Sequence, residues 1–279
     1  MSPSPRIHSP LRLEITKEYD QSAIQFLVNG MRALPTTFAQ SCKNSFIHPA
    51  LYTSGLPAPI REIHHLCLLN LQAGPDHRKN AIIPLLRQKF VELHRQYSRP
   101  LSFEELLSYS QALLLIQCIL ALNEDDQAQY SESVGNMIAG IGSRLWEQAP
   151  LKLPSTLSRR HAWLLAESVR RTIIVSLMLR SAYSMKTRKC SSRTPFADAL
   201  PFDVRTNLWD DESNQTWADH GVDSPDSMIS LHEYSDAMGN GQVHDVHPFG
   251  ALILAACKGM AVSAIPFPPR SNYIMTINS

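Results

Sequence analysis

The chain has 279 residues, 44% of them apolar, and a formal net charge of +1 from 26 basic and 25 acidic residues. The length suits one large helical domain or two small ones with a packed core, and the charge balance excludes a surface given over wholly to nucleic-acid phosphates. Five scattered cysteines and an N-terminus (Met-Ser-Pro-Ser-Pro-Arg) without an apolar stretch exclude a disulfide framework and a secretory signal, so a soluble intracellular protein with free thiols is expected.

Residues 1–19 carry three prolines and read as a tail, with some order around Leu11 to Ile15. Asp20 is placed to cap a helix presenting Ile24, Leu27, Val28, Met31 and Leu34 at helical spacing, and Pro35 is expected to end it. Residues 35–59 hold four prolines and Gly55 and read mostly as loop, with a short helix around Phe46. Ile63, Leu66, Cys67 and Leu71 mark a helix over about 60–72, stopped by Gly74-Pro75. Residues 80–98 form an amphipathic helix with Leu85, Leu86, Phe90 and Leu93 on its apolar face and Pro84 in its first turn.

Ser102-Phe-Glu-Glu105 is a capping box, in which the serine side chain takes the amide three residues on and the glutamate reaches back. The helix it opens runs to Leu122, is apolar almost all round from Ala112, and must be covered on most sides. Its apolar run, Ala112 to Leu122, is too short to span a bilayer. Asn123 to Asp126 turns the chain into a helix reaching about Gln148, whose Gly135, Gly140 and Gly142 point to close helix–helix approach. Pro150 and Pro154 break the pattern. Ser155 or Ser158 then starts the longest helix, about 27 residues and ~40 Å to Met185. Its apolar half, Thr172 to Tyr183, predicts a buried central position, and Glu167 is spaced to pair with Arg170 and Arg171. Beyond it, residues 186–225 are basic and then acidic. A short helix is expected from Met228 to Met238, a turn at Gly239-Asn-Gly241, and a last helix from Phe249 to Ala264. No strand alternation or fixed repeat recurs, so the predicted fold is all-α, an irregular stack of about eight helices around a long buried central helix.

One ordered set of residues stands out: Trp163, Glu167, Arg170 and Arg171 on the long helix, then Leu200-Pro201-Phe202-Asp203, Leu208-Trp209 and Trp217. Gly135 to Trp146, Glu233-Tyr234 and Val246-His-Pro-Phe-Gly250 add to it. The set resembles the regulatory (middle homology) domain of the fungal binuclear zinc-cluster transcription factors, sharply over Trp163–Trp217 and in layout over Ile63–Cys257. The resemblance implies an all-helical, non-catalytic regulatory domain over residues 20–279. That family's DNA-reading module needs six clustered cysteines. Here there are five, at 42, 67, 118, 190 and 257, none nearer than 25 positions to the next. A binuclear cluster cannot be built from them, so no direct sequence-specific DNA binding is expected.

Other constellations carry less. His244, Asp245 and His247, with His232 upstream, have the residue types of a metal site, but a polar loop explains them as well. No G-x-S-x-G occurs, and Gly135–Gly142 is neither a dinucleotide fingerprint nor a phosphate loop. Cys190 sits among cations that would activate an exposed thiol, but a surface cysteine in a basic connector is the preferred reading. Lys186, Arg188, Lys189 and Arg193 form a candidate import or interaction patch, or a solvated helix end placed where cations suit the dipole. Trp146, Trp163, Trp209 and Trp217 read as core, with a small-molecule pocket as the alternative.

The resulting expectation is a transcription regulator in the nucleus, with the cytoplasm as the second location. It would control a gene set, of the secondary-metabolite or nutrient-use kind that the resemblance implies. It is expected to act through other transcription regulators or the transcription machinery, with no catalysis, no metal, no cofactor and no membrane. Two alternatives stay open: an all-α sensor of a small-molecule effector, and a metal-dependent enzyme built on His232, His244, Asp245 and His247.

Overall fold

A computed structural model describes residues 15–52, 54–123, 131–150, 155–193, 195–210, 227–242 and 247–259. The fold is all-α. Eight helices of nine residues or more are described: α1 (Gln21–Ser41), α2 (Ala58–Gln72), α3 (Ile83–Tyr97), α4 (Phe103–Leu120), α5 (Glu132–Gln148), α6 (Arg159–Arg188), α7 (Leu231–Gly239) and α8 (Pro248–Lys258). Two antiparallel ribbons, which the sequence did not announce, fasten the connections. β1 (Ile15–Glu18) pairs with β2 (Cys190–Arg193), Ile15 opposite Arg193. β3 (Pro201–Asp203) pairs with β4 (Met228–Ser230), Asp203 opposite Met228.

Two helices share the centre. α6 packs against α1, α4, α5 and α8, and α4 against α1, α2, α3, α5 and α6. Leu113, Leu114, Leu115 and Ile116, four successive residues, are each 0% exposed, so α4 is walled on every side there. By length and composition α4 is apolar enough to cross a membrane, but two thirds of it is buried inside this bundle. Its start is the Ser102–Glu105 capping box, with the Ser102 N–H donating to Glu105 Oε2 at 2.8 Å. Beyond its C-terminal end, Arg32 from α1 donates to the Leu122 carbonyl and Lys186 from α6 to that of Asn123.

Several boundaries differ from expectation for identifiable reasons. α1 passes through Pro35 to Ser41. Leu34, Pro35, Phe38 and Ala39 are all buried, so packing outweighs the lost backbone bond. The turn sits at Pro49–Leu51, a 3-10 helix capped by His48, rather than at Phe46. α3 is entered through a π-helical turn, Arg78–Ile82, which inserts a residue and shifts the buried face to Ile82, Ile83, Leu86 and Leu93. Leu85 is left 39% exposed. α8 stops at Lys258 because Gly259 adopts φ 70°, a left-handed cap that glycine takes without steric cost.

The helical glycines divide. A Cβ on Gly142 of α5 would run into Ser176 Oγ and lie 3.3 Å from Ser176 Cβ on α6, whereas one on Gly140 would meet nothing within 4 Å. Close approach of α5 and α6 therefore depends on Gly142 and not on Gly140.

Candidate functional site

The marked residues converge on one end of α6. Ser158 caps that helix, its Oγ accepting from the His161 N–H at 3.2 Å. Three turns in, Glu167 and Arg171 face inward, 1% and 0% exposed. The Arg171 Nε donates to Glu167 Oε1 at 2.7 Å, and Arg170, on the wetter side, donates its Nε to Glu167 Oε2 at 2.9 Å. One carboxylate thus serves two guanidinium groups at the i+3 and i+4 spacings of a helix.

Arg171 is the hub. Its guanidinium carbon lies 4.3 Å from the Trp209 ring centroid and 4.9 Å from that of Phe249, so the cation is held between two aromatic faces. Its Nη1 donates to the Ser45 carbonyl at 3.2 Å. Trp209 in turn donates its indole N–H to the Asn44 carbonyl at 2.9 Å. The loop bearing these carbonyls is organised by Asn44, whose Oδ1 accepts from the Phe46 and Ile47 amides at 3.0 and 2.8 Å and whose Nδ2 donates to the Leu34 carbonyl. A single buried cation therefore ties together α6, the 206–209 turn, the start of α8 and the loop after α1.

The Leu200–Trp209 segment lies over α6 through a second clasp. Leu200, Phe202, Leu208 and Trp209 are each at most 2% exposed. Trp163 donates its indole N–H to Asp203 Oδ2 at 2.9 Å, and Arg205 reaches the same oxygen at 2.7 Å. Burial pushes the Asp203 carboxyl up, but bonds from Arg205 and Trp163 outweigh it and hold the group below its ordinary value. Pro201 opens β3, where its missing N–H is least costly. Trp217 lies outside the described residues.

Lys43, Asp210 and Gln111, not singled out in the sequence, and His247, weighed there as a metal ligand, complete the arrangement. Asp210 receives Lys43 Nζ at 2.9 Å and His247 Nε2 at 2.6 Å, and His247 also caps α8 through Nδ1 and the Phe249 amide. The His247 bond, joined by Lys43, holds the Asp210 carboxyl far below its ordinary value against the effect of burial. Nearer the centre, Gln111 of α4, 0% exposed, donates to the Phe46 carbonyl at 3.0 Å and to Ser168 Oγ at 2.9 Å and accepts from the Tyr52 hydroxyl at 2.7 Å.

The basic patch is less uniform than its sequence. Lys186 spends its ammonium on the Asn123 carbonyl, Arg188 folds back on Ser184 Oγ at 2.8 Å, and Lys189 takes the left-handed cap of α6 at φ 64°. Arg193 sits at the end of β2 opposite Ile15. Of the residues weighed as metal ligands, His232 pairs with Asp236 at 3.2 Å and His247 with Asp210, while His244 and Asp245 lie outside the described residues. Among the described residues no three histidines, cysteines or carboxylates gather as a metal would require. An apolar recess between Ile174, Met178, Leu231 and Ile253 has a volume of about 30 Å³, on the scale of a single water. Trp146 is 45% exposed rather than core.

No family model and no solved structure matches the chain. A curated protein does. Over 253 residues the chain is 25% identical to "Transcription factor gsfR2" of Penicillium aethiopicum, a match covering 86% of this chain. The chain is similar to a fungal transcription factor. It spans 60% of that protein's length. Among the described residues, buried apolar side chains from Ile24 to Ala256 form one large core, and Trp163, Leu164, Leu208 and Trp209 form a second cluster.

Proposed function

We propose that the chain is a transcription regulator whose residues 20–279 form a helical regulatory domain, of the kind found as the middle homology domain in fungal binuclear zinc-cluster factors. The similarity to a transcription factor over most of the chain is the observation that carries this reading. The joining of Trp163, Glu167, Arg171, Asp203 and Trp209 at one end of α6 gives it a physical basis. Residues spread over some fifty positions act as one fastening, which is what a shared scaffold requires.

The five cysteines of these 279 residues cannot build a binuclear zinc cluster. Cys67 and Cys118 are buried, and burial pushes the Cys67 thiol up to about 12, far from thiolate ligation. The chain therefore works by contact with other transcription regulators or the transcription machinery, in the nucleus, on a gene set of the secondary-metabolite or nutrient-use kind. Tethering the chain to an unrelated DNA-binding domain beside a reporter tests this. Reporter output should change at least severalfold relative to the tether alone. Tight, site-specific DNA binding by the untethered purified chain would instead put the recognition element inside these residues.

A further inference from the structure

The loop from Cys42 to Tyr52 offers two carbonyls to the hub, Asn44 to Trp209 and Ser45 to Arg171. Asn44 organises the first half of this loop through the Phe46 and Ile47 amides, and the second half is held by His48, 3% exposed. Its Nδ1 accepts from the Ala50 N–H at 3.2 Å, capping the Pro49–Leu51 turn, and the same ring bonds to the Trp209 backbone and meets the Trp209 indole edge-on at 5.2 Å. An imidazole whose Nδ1 is an acceptor must be neutral. We infer that this loop is a proton-sensitive latch over the Arg171–Trp209 hub, closed while His48 is neutral and released when His48 takes a proton at Nδ1.

The geometry leaves the proton no place. A hydrogen on Nδ1 would face the Ala50 N–H, removing the cap and opposing two donors. The charged groups around the ring are Lys43, Arg160 and Asp210. The two cations disfavour a third. Asp210 is the compensating charge, but it is already engaged by Lys43 and His247. Burial first, then Lys43 and Arg160, depress His48 from 6.5 to about 4 in the closed loop. In an open loop the histidine regains its ordinary value, so opening takes up one proton between these limits. Each pH unit lost in that window raises the open population by up to about tenfold. Asp210, held far below its ordinary value, stays ionised throughout and does not act as the switch.

Hydrogen–deuterium exchange on the full chain, corrected for intrinsic rate and followed from pH 7 to 4.5, tests the latch. Amides 46–52 should lose protection progressively below about pH 6.5, while those of α4 in the same molecules stay protected. His48→Asn retains a side-chain acceptor for the Ala50 N–H without titrating, and should keep amides 46–52 closed over the same range. Equal loss in the loop and α4, a loop protected down to pH 4.5, or an unchanged loop response in H48N would each overturn the proposal. Should H48N fail to fold, the contrast between loop and α4 in the unaltered chain decides alone.

Discussion

Arg171 and Trp209, thirty-eight positions apart, form the stack on which the fold closes: the guanidinium carbon lies 4.3 Å from the indole centroid, and both side chains are at most 1% exposed. A buried cation is costly unless charge and hydrogen bonds compensate it. Glu167 supplies the charge and the Ser45 carbonyl a further acceptor. Glu167→Ala strips the charge and leaves a buried cation, so it should cost on the order of 3–5 kcal/mol. Glu167→Met/Arg171→Met should cost clearly less than the sum of the single changes. Chemical denaturation of the four proteins of the cycle measures the coupling.

Trp163 and Asp203 make the second clasp, and it has its own signature. Trp163→Phe keeps the ring and removes the donor to a buried carboxylate. A loss of about 1–3 kcal/mol is expected by denaturant titration.

The two aspartates also set an acid limb. Asp203 and Asp210 are held below the ordinary 3.8 in the folded chain. Their contribution is therefore complete above about pH 3.8 and is lost as pH falls through the lower folded values. Asp203→Asn should be less stable at neutral pH and lose less between pH 4 and pH 2, as read by circular dichroism. This window lies below the one assigned to His48, so the two are separable.

α5 offers an internal control on packing. Gly142→Ala places a methyl against Ser176 and should destabilise by about 1–3 kcal/mol. Gly140→Ala, with open space around the new methyl, should stabilise by up to about 1 kcal/mol through helix propensity. Thermal melts of both variants compare them directly.

Much of the fold was legible because its signals are local. The Ser102 capping box, the Glu167–Arg171 spacing and the apolar α4 each follow from residues within a turn or two. The errors came where packing overrides local preference: Pro35 inside α1 and the π-helical turn that rotates α3. Gly259 was a readable stop that the apolar run masked. The strands were not legible, since three- and four-residue ribbons carry no periodicity. At the candidate site, Trp163, Arg171 and Trp209 were marked in advance. Asn44, His48 and Asp210 were not, and His247 was weighed as a metal ligand rather than as a partner of Asp210, because they contribute through partners 10 to 167 positions away or through the backbone of a loop with no sequence pattern.

The claim that most needs testing is that this scaffold regulates transcription. Deleting the coding sequence and profiling transcripts in the source organism tests it most directly. A defined set of genes should change together, and restoring the chain should reverse the change. An unaltered transcript profile, under conditions in which the protein is made, would contradict the account.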